Sequence, residues 1–297
     1  MMWSIDDFLA DKSAFDSINQ KIAKVGGLNR FNFHIRSTGH EDSVRSYLDE
    51  EREKVFALAQ KANPSLTREV LMAKYQWDRV LHRVLSVKTE GFGDERDTIG
   101  LDLGVTTGDW RLAGTPLDYP DLGLEGYRIL KPEEMHHVIG ITVLARTTDD
   151  EYIFAYRGPK FETQVGKVVH IGGTSYDIPG LVGDFKQDLI LPQVISEGTN
   201  ELGETMQHAL INQIKLIGIG HNPFSGAVEL IYEVPVDIPT DKACKLWQYA
   251  KDRSQNDNPF GIARNATAFR IFTETHDLHT GLAGIVPVIQ YFLERNN

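Results

Sequence analysis

A single cysteine, Cys244, among 297 residues excludes an internal disulfide and a cysteine-rich zinc site, and it suits a reducing compartment. Long apolar runs are also missing. None approaches the roughly 18 to 20 residues that a spanning helix needs, and the longest, such as 189–195, are of core size. The N-terminus, MMWSIDDFLADK, lacks the basic stretch and apolar stretch of a signal peptide, so the expected location is the cytoplasm, with no membrane partner. Positive charge is scarce: 31 lysines and arginines face 42 acids, for a net charge of −11. That balance argues against a dedicated DNA or RNA binder, yet one basic pocket for a small phosphorylated substrate is compatible with it. Repeats and low-complexity tracts are absent as well. What remains is ordinary globular material, 41% hydrophobic and 25% charged, enough for a sizeable core and two modest domains.

Residues 1 to about 90 read as mostly helical. The stretch 41–62 is charged and free of proline, Asn63-Pro64-Ser65 punctuates it, and helical spacing resumes from Thr67 to about Val84. Alternation then predicts a strand over 98–107. Several glycines and prolines make 116–132 the best linker, which divides the chain into a helix-rich N-terminal domain with a short sheet, 1–130, and a second domain, 131–297. The second half has α/β texture. VIGITVLAR and YIFAY are β-rich runs joined by a polar turn, a short strand ends at Gly172-Gly173, and LIGIGH and AVELIYEV form a further strand pair. Helices are expected over 188–202, 204–213, 241–253 and 281–295; Pro287 should kink the last or mark its start.

The stretch with chemical content is SEGTNELG at 196–203. If it is helical, Glu197 and Glu201 stand four apart on one face. Such a pair suits a hard divalent cation, and the Gly172 or Gly173 carbonyl could add a ligand. Glutamates four apart equally describe a solvated face, and Gly198, Thr199 and Asn200 are poor helix formers that equally describe a loop. Arg157 and Lys160 follow the second β-rich run, where they either contact phosphate oxygens or lie exposed. Thr107 and Trp110, in the turn 106–111, offer a hydroxyl and a stacking ring, or simply a core tryptophan. His136, His137, His170 and His221 read as ordinary strand-end histidines, with His170 nearest the proposed site. No Gly-x-Ser-x-Gly elbow appears, and Cys244 has no local partner.

The order of elements resembles the Nudix hydrolase superfamily: HHVIGITVLARTTDDEYIFAYRGP, then VGKVVHIGG, then the glutamate-bearing helix, then LIGIGHN and AVELIYEV. Anchored on Glu197, the superfamily signature also finds its last glutamate at Glu201 and its closing glycine at Gly203, with Asp188 where the first glutamate belongs. Ser196, Gly198 and Asn200 depart from it. Taking Gly173 as the opening glycine implies nine inserted residues, from 173 to 182. The chain is most similar to the UDP-glucose pyrophosphatase type, which carries an N-terminal domain and a similarly broken signature; LDLGVTTGDWRLAGT and HIGGTSYD belong to that likeness.

The resemblance implies an α/β/α sandwich with a mixed sheet and Mg²⁺-dependent (or Mn²⁺-dependent) hydrolysis of a nucleoside diphosphate linked to another group, UDP-sugars leading. Glu197, Glu201 and the Gly172 or Gly173 carbonyl would hold metal. Glu201 or Asp188 would act as base. Arg157, Lys160, His170, Thr107 and Trp110 would bind substrate. Two rivals stand beside it: a binding protein of the same fold that has lost the chemistry, and an interaction protein whose N-terminal helices dock a partner. Self-association into a homo-oligomer is open in every case.

Overall fold

A computed structural model describes residues 2–4, 9, 12–29, 33–37, 44–75, 80–90, 98–115, 117–119, 122–131, 134–158, 164–170, 183–186, 190–223, 225–251 and 256–296. Two mixed sheets carry the fold. The first has the order β1 (Met2–Ser4), β3 (Val80–Glu90), β4 (Thr98–Thr107), β2 (Phe33–Ser37) and β10 (Gly183–Lys186). It buries Phe33, Ile35, Leu101 and Leu103 on one face. Helices α2 (Val44–Ala62), α3 (Arg68–Tyr75) and α4 (Gly108–Gly114) enclose a satellite core that includes Val55, Phe56, Leu71 and Trp110. The region expected as linker contains a small hairpin, β5 (Leu117–Tyr119) with β6 (Leu124–Tyr127).

The second sheet runs β11 (Lys215–His221), β12 (Val228–Pro235), β7 (Ile139–Arg146), β8 (Glu151–Arg157) and β13 (Asn256–Ala263). Its β12 and β7 are parallel and the other pairings antiparallel. β9 (Val168–His170) pairs with β8 beyond the point where the β7–β8 hairpin separates, after Arg146 and Tyr152. Alternation sorts the side chains by face. Ile141, Val143, Ile153 and Tyr232 pack with α5 (Ile190–Leu202), while Leu144, Phe154 and Ile231 pack with α7 (Ala266–Thr275) and α8 (Thr280–Arg295). Helices on both faces of a mixed sheet make this an α/β/α sandwich, as expected. Elements cross the division drawn at residue 130: β10 joins the first sheet, and α1 (Lys12–Lys24) packs on β11 and α8.

Two buried arrangements hold the second sheet. Strand β11 is an edge, and α1 covers it. The Asn19 carboxamide donates to the Ile219 carbonyl at 3.0 Å and accepts from the Ile219 N–H at 2.9 Å, as a neighbouring strand would. Farther in, the fully buried Glu233 accepts from Tyr152 Oη at 2.5 Å and Arg264 Nε at 2.7 Å, with Lys215 at 3.4 Å. Burial alone would raise the Glu233 pKa. Arg264, the Tyr152 hydroxyl and Lys215 outweigh it and hold the carboxyl below its ordinary range.

Two expectations are corrected. Residues from Val80 to Val84 are strand, not helix. The strand is buried on both faces here: Leu81 packs with Val138 and Ala227, while His82 and Val84 are buried on the other face, and beyond the bulge between Val84 and Ser86 the buried positions are Val87 and Thr89. Burial on both faces puts apolar residues at Leu81 and Val84, a spacing that imitates a helix. Residues 204–213 form two 3₁₀ turns, Gly203–His208 and Ile211–Gln213, rather than one α-helix. Pro287 does not mark the start of the last helix, which spans Thr280–Arg295, within a residue of the expected 281–295.

In β11 the glycines permit close helix packing. A Cβ on Gly218 would collide with the Val288 γ-methyl of α8, and one on Gly220 would lie 2.9 Å from Ile285. Val288 has little χ1 freedom to retreat, so Gly218→Ala is expected to cost about 1–3 kcal/mol through overpacking. Urea unfolding should show a lower midpoint with an unchanged slope. An unchanged midpoint would mean that α8 does not rest on this strand.

Candidate active site

The ambiguous EGTN stretch is helical. In α5 the buried positions Ile190, Val194, Gly198, Glu201 and Leu202 follow helical spacing, and Pro192 falls in the tolerated first turn. Gly198 makes room for Met206, whose Cε would stand 2.7 Å from an added Cβ. Gly203 ends the helix at φ +61°, and any Cβ there would meet the backbone nitrogen of Ala250 at 2.6 Å. The signature glycine is thus required twice, by conformation and by space.

Glu201 is only 8% exposed, and its charge acts on Arg157 at the end of β8. Burial pushes the Arg157 guanidinium down to about 10; Glu201 pulls it back up and Arg111 adds to the fall. Glu197, half-buried, lies one turn before Glu201 on the same side of α5. Arg157 thus links the carboxylate helix to His170, on which its charge also acts. Lys160, Gly172, Gly173 and Asp188 lie outside the described residues.

Three further groups complete the cluster, none of them assigned a role from sequence. Glu229 stands on β12 directly opposite Gly140 of β7. Its carboxylate occupies the space that a Cβ on Gly140 would need. Burial drives its pKa up to about 7, against the pull of Arg111 and a hydrogen bond from Thr142. Arg111, from α4, is also lowered by burial and raised by Glu229. His279 caps α8, its Nδ1 accepting from the Gly281 N–H at 3.0 Å, so the neutral ring carries its proton on Nε2.

Both histidines stay uncharged near neutrality. Burial first, then Arg157, pushes His170 down to about 4; burial, Arg157, His170, Lys167 and Arg111 push His279 down to about 3. His170 Nε2 lies 3.4 Å from the Thr142 hydroxyl, and its buried Nδ1 has no hydrogen-bond partner among the described residues. Two arginines, the carboxyls of Glu201 and Glu229 and two neutral histidines thus meet at one end of the sheet.

Glu229 and Glu233 show how environment decides charge. They occupy one face of one strand. Glu233 has three cations within 4 Å and a tyrosine hydroxyl, so it stays ionised; Glu229 has Arg111 and a threonine, and burial prevails. An acid inside the apolar run AVELIYEV was the available signal for both.

Of the two readings of the turn 106–111, Trp110 follows that of a core tryptophan. Trp110 is packed within the satellite core: its Nε1 donates to Glu51 at 2.5 Å, and its ring stacks on His136 at 4.0 Å. Thr107 is fully buried at the start of α4. Arg111, next to Trp110, is the member of the turn whose charge reaches the cluster.

No model of a known protein family matches the chain, and a search of characterised proteins finds no relative. Among solved structures it is similar to DR0079 from Deinococcus radiodurans, at 11% identity over 50% of this chain and 81% of that one, with a TM-score of 0.35. It is also similar to a MutT protein from Methanosarcina mazei Go1, at 11% identity over 54% and 96% of the two chains, with a TM-score of 0.30.

Proposed function

We propose that this protein is a Nudix-type, Mg²⁺-dependent hydrolase of a nucleoside diphosphate linked to another group, with a UDP-sugar as the first substrate class. The observation that carries it is the convergence of Arg111 and Arg157 with Glu201 and the near-neutral Glu229. Two arginines match the charge and fork geometry of a diphosphate. Among the described residues no three histidine, cysteine or acidic side chains gather as a complete metal site. Two carboxylates one turn apart nevertheless fit Mg²⁺, which usually takes one or two protein carboxylates and completes its shell with water and substrate phosphates. Glu197 and Glu201 would hold it, and it would supply Lewis-acid stabilisation of the diphosphate charge.

The remaining steps belong to the chain. Arg157 and Arg111 orient the diphosphate and offset charge that develops as the bridge opens. Water attacks one phosphorus, its proton passes to Glu229, and the P–O bond on the far side breaks. A nucleoside monophosphate and a phosphorylated remainder leave. The neutral His170 and His279 line the site without adding charge.

The test is phosphate-coupled turnover of UDP-glucose beside ADP-ribose, with Mg²⁺ or Mn²⁺. Faster turnover of UDP-glucose is expected. Preference for ADP-ribose would reassign the substrate class. Turnover of neither, with nucleotide binding retained, would favour the binding-protein reading to which Ser196 and Asn200 point.

A further inference from the structure

A second depression, of about 380 Å³, lies where α5 ends. Its floor is Gly203 and Met206, and Tyr249 stands at its side with 60% of its surface exposed. Around the rim are Asn200, Glu204, Gln207 and Lys251. Their positions are fixed from below, because Gly203 is pressed against the backbone of Ala250, next to Tyr249. The buried positions of α5, Glu201 among them, face inward, whereas Thr199, exposed on the outer side, borders this depression. The two sites therefore occupy opposite sides of the same helix.

The lining selects among ligand classes. An exposed aromatic ring beside a small apolar floor favours a ring with an apolar face of its own. Amides supply donors and acceptors, Glu204 accepts and Lys251 donates, a set suited to several hydroxyls in different directions. An anion would meet Glu204 as well as Lys251, and a purely apolar ligand would strand the polar rim. A flat heteroaromatic base gains most from a ring on each face, and Tyr249 is the only aromatic residue in the lining among the described residues. We propose that this depression is a carbohydrate-binding site that takes a neutral pyranose ring against Tyr249, separate from the diphosphate site.

Saturation-transfer NMR and calorimetry on the full chain, without metal or diphosphate, test this with D-glucose, N-acetyl-D-glucosamine and methyl β-D-galactoside, and with uridine and adenosine as counter-probes. Binding of at least one sugar is expected at millimolar affinity, about −4 kcal/mol. Tyr249→Ala should weaken it about tenfold or more and Gln207→Ala less, both with unaltered thermal unfolding. Glu201→Gln should leave sugar binding intact, which separates this site from the hydrolytic one. Absence of binding by all three sugars, nucleoside binding in their place, binding indifferent to Tyr249→Ala, or loss of binding in Glu201→Gln would each overturn the proposal.

Discussion

Glu201→Gln is expected to lower turnover about 10³-fold at saturating Mg²⁺, the scale seen when one pre-positioned group that stabilises transition-state charge is removed. Glutamine keeps the shape and one oxygen but loses the negative charge that would hold a divalent cation and that raises the pKa of Arg157. Because Glu201 is 8% exposed and faces a half-buried arginine, some stability should be lost too. Thermal unfolding would therefore accompany the kinetics. Glu197→Gln, at a half-buried position, should impair activity with a smaller change in stability. Full activity in both variants would remove α5 from the chemistry altogether.

The second large effect is expected at Glu229, and it has opposite signs for activity and stability. As the proton acceptor it must be ionised, so turnover should rise with pH through about 7. His170 and His279 titrate near 4 and 3 and Arg157 near 10, which leaves that limb to Glu229. Glu229→Gln should lose about 10²–10³-fold in rate and flatten the profile. For stability, an acid whose folded pKa lies above its unfolded value binds its proton more tightly in the native state. That contribution is full below pH 4.5 and is lost as pH rises towards 7, a change on the order of 3 kcal/mol. Glutamine lacks it. Relative to the parent, the variant should therefore gain stability between pH 5 and 8, as urea unfolding at the two pH values would show. A stability difference that stays constant over that range would mean that Glu229 is already ionised at pH 5, and the rise in turnover near pH 7 could then not be its titration.

The sheet and helix carrying the candidate site were legible because each has a strong local pattern. VIGITVLAR, YIFAY and AVELIYEV are β-branched or aromatic runs, and the glutamates at 197 and 201 share a helix face whatever their role. Val80–Val84 misled because a strand buried on both faces places apolar residues at a helix-like spacing. Strand β13, NDNPFGIA, is poor in β-formers and carries a proline; its place comes from pairing with β8 and from Arg264 reaching Glu233. The convergence of Arg111, Glu229 and His279 was beyond local pattern. These residues lie in a short helix, a strand and a helix cap far apart in the chain, and only packing brings them together.

The carboxamide of Asn19 has a consequence for the life of the molecule outside its active site. It acts as a stopper on a strand that would otherwise offer unpaired amides and carbonyls to any passing chain. A proteolytic nick that released α1 would uncover a template for strand addition, with two glycines in it and few charges to repel a neighbour. Fidelity against self-templating thus rests on one side-chain amide, some two hundred positions along the chain from the strand it guards, and on the backbone of Leu28, which pairs with Leu216 at the same edge.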